Sequence, residues 1–447
     1  MASNAPSRRG LGRARRAAAG TLARIVFFTG KGGVGKTTTA AATAAHAATR
    51  GARVLVVSAD PAHSLGDVLG VRLGPDPQVV AAPQTAPAVA SAAADGTDPA
   101  AAGLRRPVGG FDALEVDARA EMERHWGAIR AYLGALFRHQ GIEPTIADEL
   151  ALLPGAEEMA ALLAVEAHAR AGAYDLVVVD CAPTGATLRL VSLPEIASRG
   201  LRIALRLQRA LAATVSPLAR AVLSIPVPDA DVFRDLEALL YERLTAIRAL
   251  LLAPATTVRL VATPERMVID EAVRAHTDLC LFELACDAVV MNRLLPPEAA
   301  AESYFADWAR VAEQRMAEVE RLFPGLPVLR GPLAADEVTG VEALAAHGAR
   351  LYGARDPAAR LANPPRLRFA RRADADGRFC IELPLPHAQA ANLDVAKLDD
   401  ALLIRTGGWR RAIPLPRRLA RLSLHSAQLD AGRLVVRLAP AADPAGA

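Results

Sequence analysis

The sequence predicts a doubly wound α/β domain built on a mostly parallel sheet, with an inserted helical subdomain and a small all-β, sandwich-like domain at its C-terminal side. Three observations predict it. From Arg24 onward, short β-branched runs alternate with long Ala/Leu/Arg stretches of helical period. The candidate strands are almost uninterrupted apolar runs, as strands covered on both faces require. Near Asn363-Pro364-Pro365 the rhythm changes to short strand-like runs separated by turns.

Taken in order, residues 1–22 carry Arg8, Arg9, Arg13, Arg15 and Arg16 among Ala, Ser and Gly, without the apolar core of a secretory signal, and read as a disordered basic leader. The α/β unit is expected over residues 23–355. Its candidate strands are Ile25 to Thr29, Val54 to Ser58, Leu176 to Asp180, Val258 to Thr263, Ala288 to Asn292 and Pro327 to Arg330, and an Ala/Thr-rich helix is expected from Thr38 to Thr49. Residues 75–110 are Ala, Pro, Gly and Thr with little periodicity and read as a disordered insertion. Residues 119–250 read as several helices, too long for one crossover, hence the helical subdomain. The β domain is expected over 366–440, from the runs Arg378 to Leu383, Ala401 to Arg405 and Arg433 to Leu438, and a Pro/Ala tail closes the chain.

A chain of 447 residues is long enough for one large and one small unit, each with a full core. Apolar residues make up 52% of it, yet Arg, Asp and Glu cut every stretch below the roughly 20 residues that a spanning helix needs. A soluble cytoplasmic protein with no integral membrane segment is expected. The net charge of +4 comes from arginines too scattered to form a nucleic-acid footprint. Cys181, Cys280, Cys286 and Cys380 are dispersed, with no Cys-x-x-Cys spacing, which suits reduced thiols rather than zinc or disulfides.

The chemistry concentrates in Gly30-Lys31-Gly32-Gly33-Val34-Gly35-Lys36-Thr37-Thr38, between the first strand and the first helix. That context is what a phosphate-binding loop requires: glycines let backbone amides close around phosphate oxygens, and the helix N-terminus adds its dipole. Lys36 is placed to reach the β- and γ-phosphates of ATP, and the Thr37 hydroxyl to ligate Mg²⁺. Composition argues the same way. Of 52 basic side chains only Lys31, Lys36 and Lys397 are lysine, and two of these lie in this loop. Where arginine replaces lysine almost everywhere, these positions need a compact ammonium rather than a planar fork.

Two further strand ends carry matching groups. Asp60-Pro61-Ala62-His63-Ser64-Leu65-Gly66-Asp67 follows the second strand, at the edge where doubly wound sheets bind ligands, and Asp60 is a candidate for orienting the attacking water. His63 by itself reads as a hydrogen-bonded turn residue, and Ser64 as a helix cap. Asp180 ends an apolar strand and suits an outer-shell Mg²⁺ contact; Pro183, Thr184 and Gly185 follow in a loop able to sense a γ-phosphate.

On these residues the chain resembles the ArsA-type ATPases of the deviant P-loop class, which include arsenite-pump ATPases and the targeting ATPase for tail-anchored membrane proteins. Four stretches carry the resemblance: Lys31 to Thr38, Asp60 to Asp67, Asp180 to Leu190, and Pro332 to Gly340. It implies ATP hydrolysis with Mg²⁺, a homodimer with facing nucleotide sites, and Lys31 reaching into the partner's site to stabilise transferring charge. It also implies that Asp60 positions the water, that Asn292 reads adenine, that Glu265 contacts the nucleotide, and that Pro332 and Leu333 line the adenine pocket. The β domain resembles the small-heat-shock-protein-like domain of some bacterial members.

Departures bear on role. The familiar arsenite-pump subunits carry two fused halves and a cysteine cluster, whereas this chain has one phosphate loop and dispersed cysteines. The eukaryotic targeting members hold their dimer with a Cys-x-x-Cys zinc site after the adenine asparagine, and Leu294 to Leu326 contains no cysteine. The reading that follows is an ATPase whose dimer opens and closes around an apolar client, such as a membrane-protein segment. It draws on the Leu/Ile/Val and Arg pattern of Leu201 to Leu223. The alternatives are the energising subunit of an arsenite or anion extrusion pump, and a positional switch of the ParA/MinD kind.

Overall fold

A computed structural model describes residues 22–59, 64–81, 109–117, 156–181, 244–371 and 379–440. The expected leader, and most of the stretches read as the disordered insertion and the helical subdomain, lie outside these residues.

The larger unit is an eight-stranded sheet in the order β3-β4-β2-β5-β1-β6-β7-β8. Its strands are β1 (Arg24–Thr29), β2 (Val54–Ser58), β3 (Gln78–Val80), β4 (Phe111–Glu115), β5 (Leu176–Asp180), β6 (Thr256–Ala262), β7 (Cys286–Leu294) and β8 (Val328–Pro332). All neighbours run parallel except β3, which pairs antiparallel with β4 at one edge. The chain leaves β1 toward β2 on one side, and later returns from β5 past β1 to β6 on the other. The C-terminal end of β1 therefore lies at the point where the winding reverses, where such sheets hold their ligands.

The helices that cover the sheet include α1 (Lys36–Thr49), α2 (Ser64–Leu69), α3 (Ala156–Arg170), α4 (Leu244–Leu251), α5 (Arg266–Leu281), α6 (Pro297–Ala300), α7 (Ala306–Leu322) and α8 (Val341–Tyr352). Helix α1 is buried nearly throughout because its alanines present no bulk, so it packs against β1, β2, β5 and α8 together. β1 from Ile25 onward, and β2 and β5 throughout, are buried to within a few per cent, which explains why they read as apolar runs.

Two boundaries differ from expectation. Residues 78–80, placed in the disordered insertion by composition, form β3: a three-residue strand between prolines is too short to show a period, and its pairing partner β4 is 30 residues downstream. Within 119–250, the expected strand Leu176 to Asp180 is β5, at the centre of the sheet between β2 and β1, and the difference lies in the helices beside it. Helix α3 packs on β5 and α4 on α3 and β6, so these parts of the expected helical subdomain belong to the α/β layer.

The smaller unit consists of a four-stranded sheet, β14-β15-β10-β9, and a three-stranded sheet, β11-β12-β13, both antiparallel. The strands are β9 (Arg368–Arg371), β10 (Phe379–Pro384), β11 (Leu393–Leu398), β12 (Ala401–Thr406), β13 (Trp409–Pro414), β14 (Ser423–Asp430) and β15 (Arg433–Ala439), with a short helix α9 (Arg417–Ala420). Ile381, Leu383, Leu402, Ile404, Ile413, Leu434, Val436 and Leu438 alternate inward to make its core, the period expected of a sandwich. Lys397 donates to the carbonyls of Asp399 and Ala420 at 2.8 Å each, a use of a lysine as a point charge between two backbone oxygens.

This unit is seated on α5. Trp409 Nε1 donates to Asp278 at 3.0 Å, the Arg411 guanidinium bonds the Leu281 carbonyl and Glu283, and the Thr277 hydroxyl donates to the Pro386 carbonyl. The rings of His276, Phe323 and His387 meet at 5.2 to 5.8 Å between centroids. Burial holds the imidazole of His276 down to about 4, and moves the Asp278 carboxyl the other way, up to about 6.

Candidate active site

Strand β1 ends at Thr29, and the loop that follows must turn at once, because β6 lies alongside. Gly30 has φ +156°, and a Cβ there would sit 2.1 Å from the Val261 carbonyl oxygen of β6, so only glycine allows the loop to leave the sheet. At the far end Gly35, in the left-handed region, is the N-cap of α1. Its carbonyl accepts the Thr39 hydroxyl at 2.7 Å and the Thr39 amide at 3.0 Å, which anchors the end of the loop to the helix. The N-terminal amides of α1 therefore face the concavity of the loop, an arrangement suited to an anion.

The two loop lysines are disposed differently. Lys36 is 7% exposed, and its ammonium donates back to the Lys31 carbonyl at 3.3 Å, across the mouth of its own loop. Lys31 is partly exposed, and its ammonium has no hydrogen-bond partner among the described residues. Gly32 and Gly33 are exposed, while Val34 is buried.

Thr37 and Ser64 come together from loop and helix α2: their hydroxyl oxygens lie 3.1 Å apart. Helix α2 is held in turn by the Gly66 amide donating to Glu115 of β4 at 3.0 Å, and by the Gly340 amide donating to the Val68 carbonyl at 2.9 Å. Gly340, the last residue of the fourth sequence stretch, thus meets Val68, the residue that follows the second. Asp180 is fully buried at the end of β5, in register with Phe28 of β1, and the Cys181 amide donates to the Phe28 carbonyl at 3.3 Å. A threonine hydroxyl and a carboxylate are hard oxygen donors of the kind Mg²⁺ selects, so the residues present fit that ion.

On the other side of the loop stand the ends of β6, β7 and β8. Asn292 is 6% exposed and its side-chain amide donates to the Val34 carbonyl at 2.9 Å. Glu265, at the N-cap of α5, is exposed and within 3.3 Å of the Thr263 hydroxyl. Pro332 is half-buried, and Leu333, 44% exposed, is tied by its amide to the Leu294 carbonyl at 2.7 Å. Glu265, Asn292, Pro332 and Leu333 therefore all lie at the strand ends that share an edge with the phosphate loop. Asp60, Pro61, His63, Pro183, Thr184 and Gly185 lie outside the described residues. Sequence reasoning missed Gly331, which abuts Asn292; its signal was a glycine inside a strand run.

Comparisons with known proteins bear on this edge. The family model described as anion-transporting ATPase matches residues 23–88 and 110–353, and one described as an HSP20-like domain found in ArsA matches 376–438. The putative arsenical pump-driving ATPase 1 of Aquifex aeolicus is 31% identical over 92% of this chain and 99% of its own length. A putative arsenical pump-driving ATPase of Chlorobaculum tepidum is 32% identical over 88% of this chain and 90% of its own. The ATPase get3 of Aspergillus terreus is 26% identical over 72% of this chain and 88% of its own. With a family model covering the loop, the strand ends around it and most of the sheet, the chain belongs to the ArsA ATPase family and is an ATP-hydrolysing enzyme.

Proposed function

We propose that the chain binds Mg-ATP at Lys31 to Thr38, that a second copy completes the site by contributing its Lys31, and that hydrolysis opens and closes this pair around an apolar client such as a membrane-protein segment. The observation that carries the reading is the contrast between the lysines: the ammonium of Lys36 is folded into its own loop, whereas that of Lys31 has no partner there. In a chain that uses arginine for almost every other positive charge, a partnerless lysine at a phosphate loop is best explained by a phosphate brought from elsewhere.

In this reading Lys36 neutralises the β- and γ-phosphates, the loop amides hold their oxygens, and Asp60 orients the attacking water. Thr37 would hold Mg²⁺ directly and Asp180 as an outer-shell contact, and the ion would supply neutralisation of the developing phosphate charge. Glu265, Asn292, Pro332 and Leu333 surround the base. The protein works in the cytoplasm, and no helix among the described residues is long and apolar enough to cross a membrane.

The pump reading rests on the names of the bacterial relatives. The thiols argue against a metalloid site here. Cys181, Cys286 and Cys380 are buried, and no group of three or more His, Cys, Asp and Glu side chains among the described residues is placed to hold a metal. Arsenite is therefore expected to leave the rate unchanged, and stimulation would favour the pump.

The trans arrangement is tested by complementation. Lys31→Ala and Lys36→Ala should each be inactive alone, and a mixture should release phosphate, because a mixed pair contains one site with both lysines. A mixture as inactive as its components rejects the shared site. The client is tested by crosslinking a nucleotide-trapped form in extract; recovery of only hydrophilic chains rejects an apolar client.

A further inference from the structure

Asn292 is placed with more care than a base contact requires. It lies where β7 departs from its register with β8: Met291 pairs with Arg330 and Leu294 with Pro332, so Asn292 and Arg293 together oppose Gly331. This is a bulge of one extra residue, uncommon between parallel strands and a known means of re-aiming a side chain beside a site. Arg293 takes the left-handed conformation with φ +59°, an unfavourable state for a residue with a long side chain. The result is that Asn292 points inward, buried, and Arg293 outward.

What Asn292 meets is the phosphate loop. Its amide nitrogen donates to the Val34 carbonyl at 2.9 Å. A Cβ on Gly35 would lie 2.5 Å from that nitrogen, and a Cβ on Gly331 would lie 2.7 Å from the side-chain oxygen. The carboxamide is thus gripped between the loop backbone and the β8 backbone, and both close approaches exist only because the facing residues are glycines. A carboxamide has two N–H groups and an acceptor oxygen. One N–H serves Val34, which leaves the second N–H and the oxygen for an adenine edge.

We propose that Asn292 is a positioning residue for the phosphate loop, aimed by the β7 bulge and seated by Gly331, so that base recognition and loop geometry share one side chain. This rests on the reading of the loop as the ATP site. A residue that only reads the base affects discrimination among nucleotides. One that holds the loop affects any ligand of the loop, with or without a base.

The probe is therefore Mg-tripolyphosphate, which has no base, compared with Mg-ATP and Mg-ITP by calorimetry and phosphate release. Asn292→Leu keeps the number and branching of the side-chain heavy atoms, adds no charge and removes the donor. It is expected to weaken tripolyphosphate about tenfold, the loss of one well-placed hydrogen bond, and to lower kcat for ATP; because the Val34 carbonyl loses its donor, binding is compared below the unfolding transition of each variant. Gly331→Ala retains the amide but fills its seat, and is expected to weaken tripolyphosphate in the same direction. Tripolyphosphate binding unchanged in both variants, with only the ATP/ITP preference lost, overturns the proposal while leaving the ATP site intact. Failure of the unaltered protein to bind either ATP or tripolyphosphate overturns the site itself.

Discussion

The two ends of the central sheet are built on opposite principles. Where the strands begin, Asp287 of β7 is fully buried between two arginines: Arg24 at 2.9 Å and Arg259 at 3.2 Å. Arg259 also donates to the Tyr352 hydroxyl and to the carbonyls of Pro357 and Ala359, and Arg24 to Thr257 and to the carbonyls of Ile25 and Ala255. Burial pulls the Arg24 guanidinium down to about 10. Where the strands end, the groups are lysines, hydroxyls and glycines with few fixed partners, and the Lys31 ammonium has none among the described residues. One end spends its polar groups on each other and fastens the segment leading to the β domain. The other keeps them for a ligand. Stability and chemistry are thereby separated along the strand axis, and changes at the two ends should separate too.

The largest effect is expected from Asp287→Ala, which strands two buried guanidiniums and should cost about 3–5 kcal/mol in denaturant unfolding. Turnover per folded molecule should stay near its original value; a proportionate loss of turnover would mean that the two ends are not independent. Lys36→Ala is the mirror image: about 10²–10³-fold off kcat, as for removal of a charge-stabilising donor, with an unchanged unfolding midpoint. Tyr352→Phe removes a hydroxyl shared by Thr43 at 2.7 Å and Arg259 at 2.8 Å and should cost about 1–3 kcal/mol, again without altering KM for ATP.

A smaller effect sharpens the comparison at the seam with the β domain. His276, depressed by burial, stabilises the fold fully above about pH 6.5 and loses that contribution as pH falls toward about 4. Asp278, raised by burial to about 6, does the reverse, because the folded state takes up its proton first as pH falls. The two offset one another between pH 6.5 and 4. Asp278→Asn keeps an acceptor for Trp409 but removes the compensating proton, so its thermal midpoint should drop over that window more steeply than the unaltered protein's. Smallest is Arg293→Gly, which relieves the left-handed residue of the bulge and should gain up to about 1 kcal/mol. A loss instead would show that the Arg293 side chain is needed where it stands.

What the sequence revealed and what it hid divide along the same axis. The phosphate loop was legible because its chemistry is contiguous: glycines, lysines and threonines within nine residues, between an apolar strand and an alanine-rich helix. The strands β1, β2 and β5 were legible because burial on both faces leaves an apolar run. The Asp287 network was hidden, since Arg24, Arg259, Asp287 and Tyr352 are far apart in sequence, the first three each resembling a stray polar residue in a strand and the last an ordinary helix-end tyrosine. The bulge was hidden for a related reason. Whether Asn292 and Arg293 oppose one residue or two is a property of the register with β8, and no local pattern in β7 records it. The expected roles of Asp60 and of the loop at Pro183 to Gly185 lie outside the described residues and stand as proposals.

The scarcity of lysine has a practical consequence. Of the three ammonium groups, Lys397 is fixed between two carbonyls and Lys36 is buried in the loop, which leaves Lys31 as the one with no hydrogen-bond partner among the described residues. Apart from the α-amino group, an amine-selective acylating reagent at low dose should therefore modify Lys31 ahead of the other two. Its rate of labelling becomes a direct gauge of whether anything has come to cover that position, with no engineered probe required.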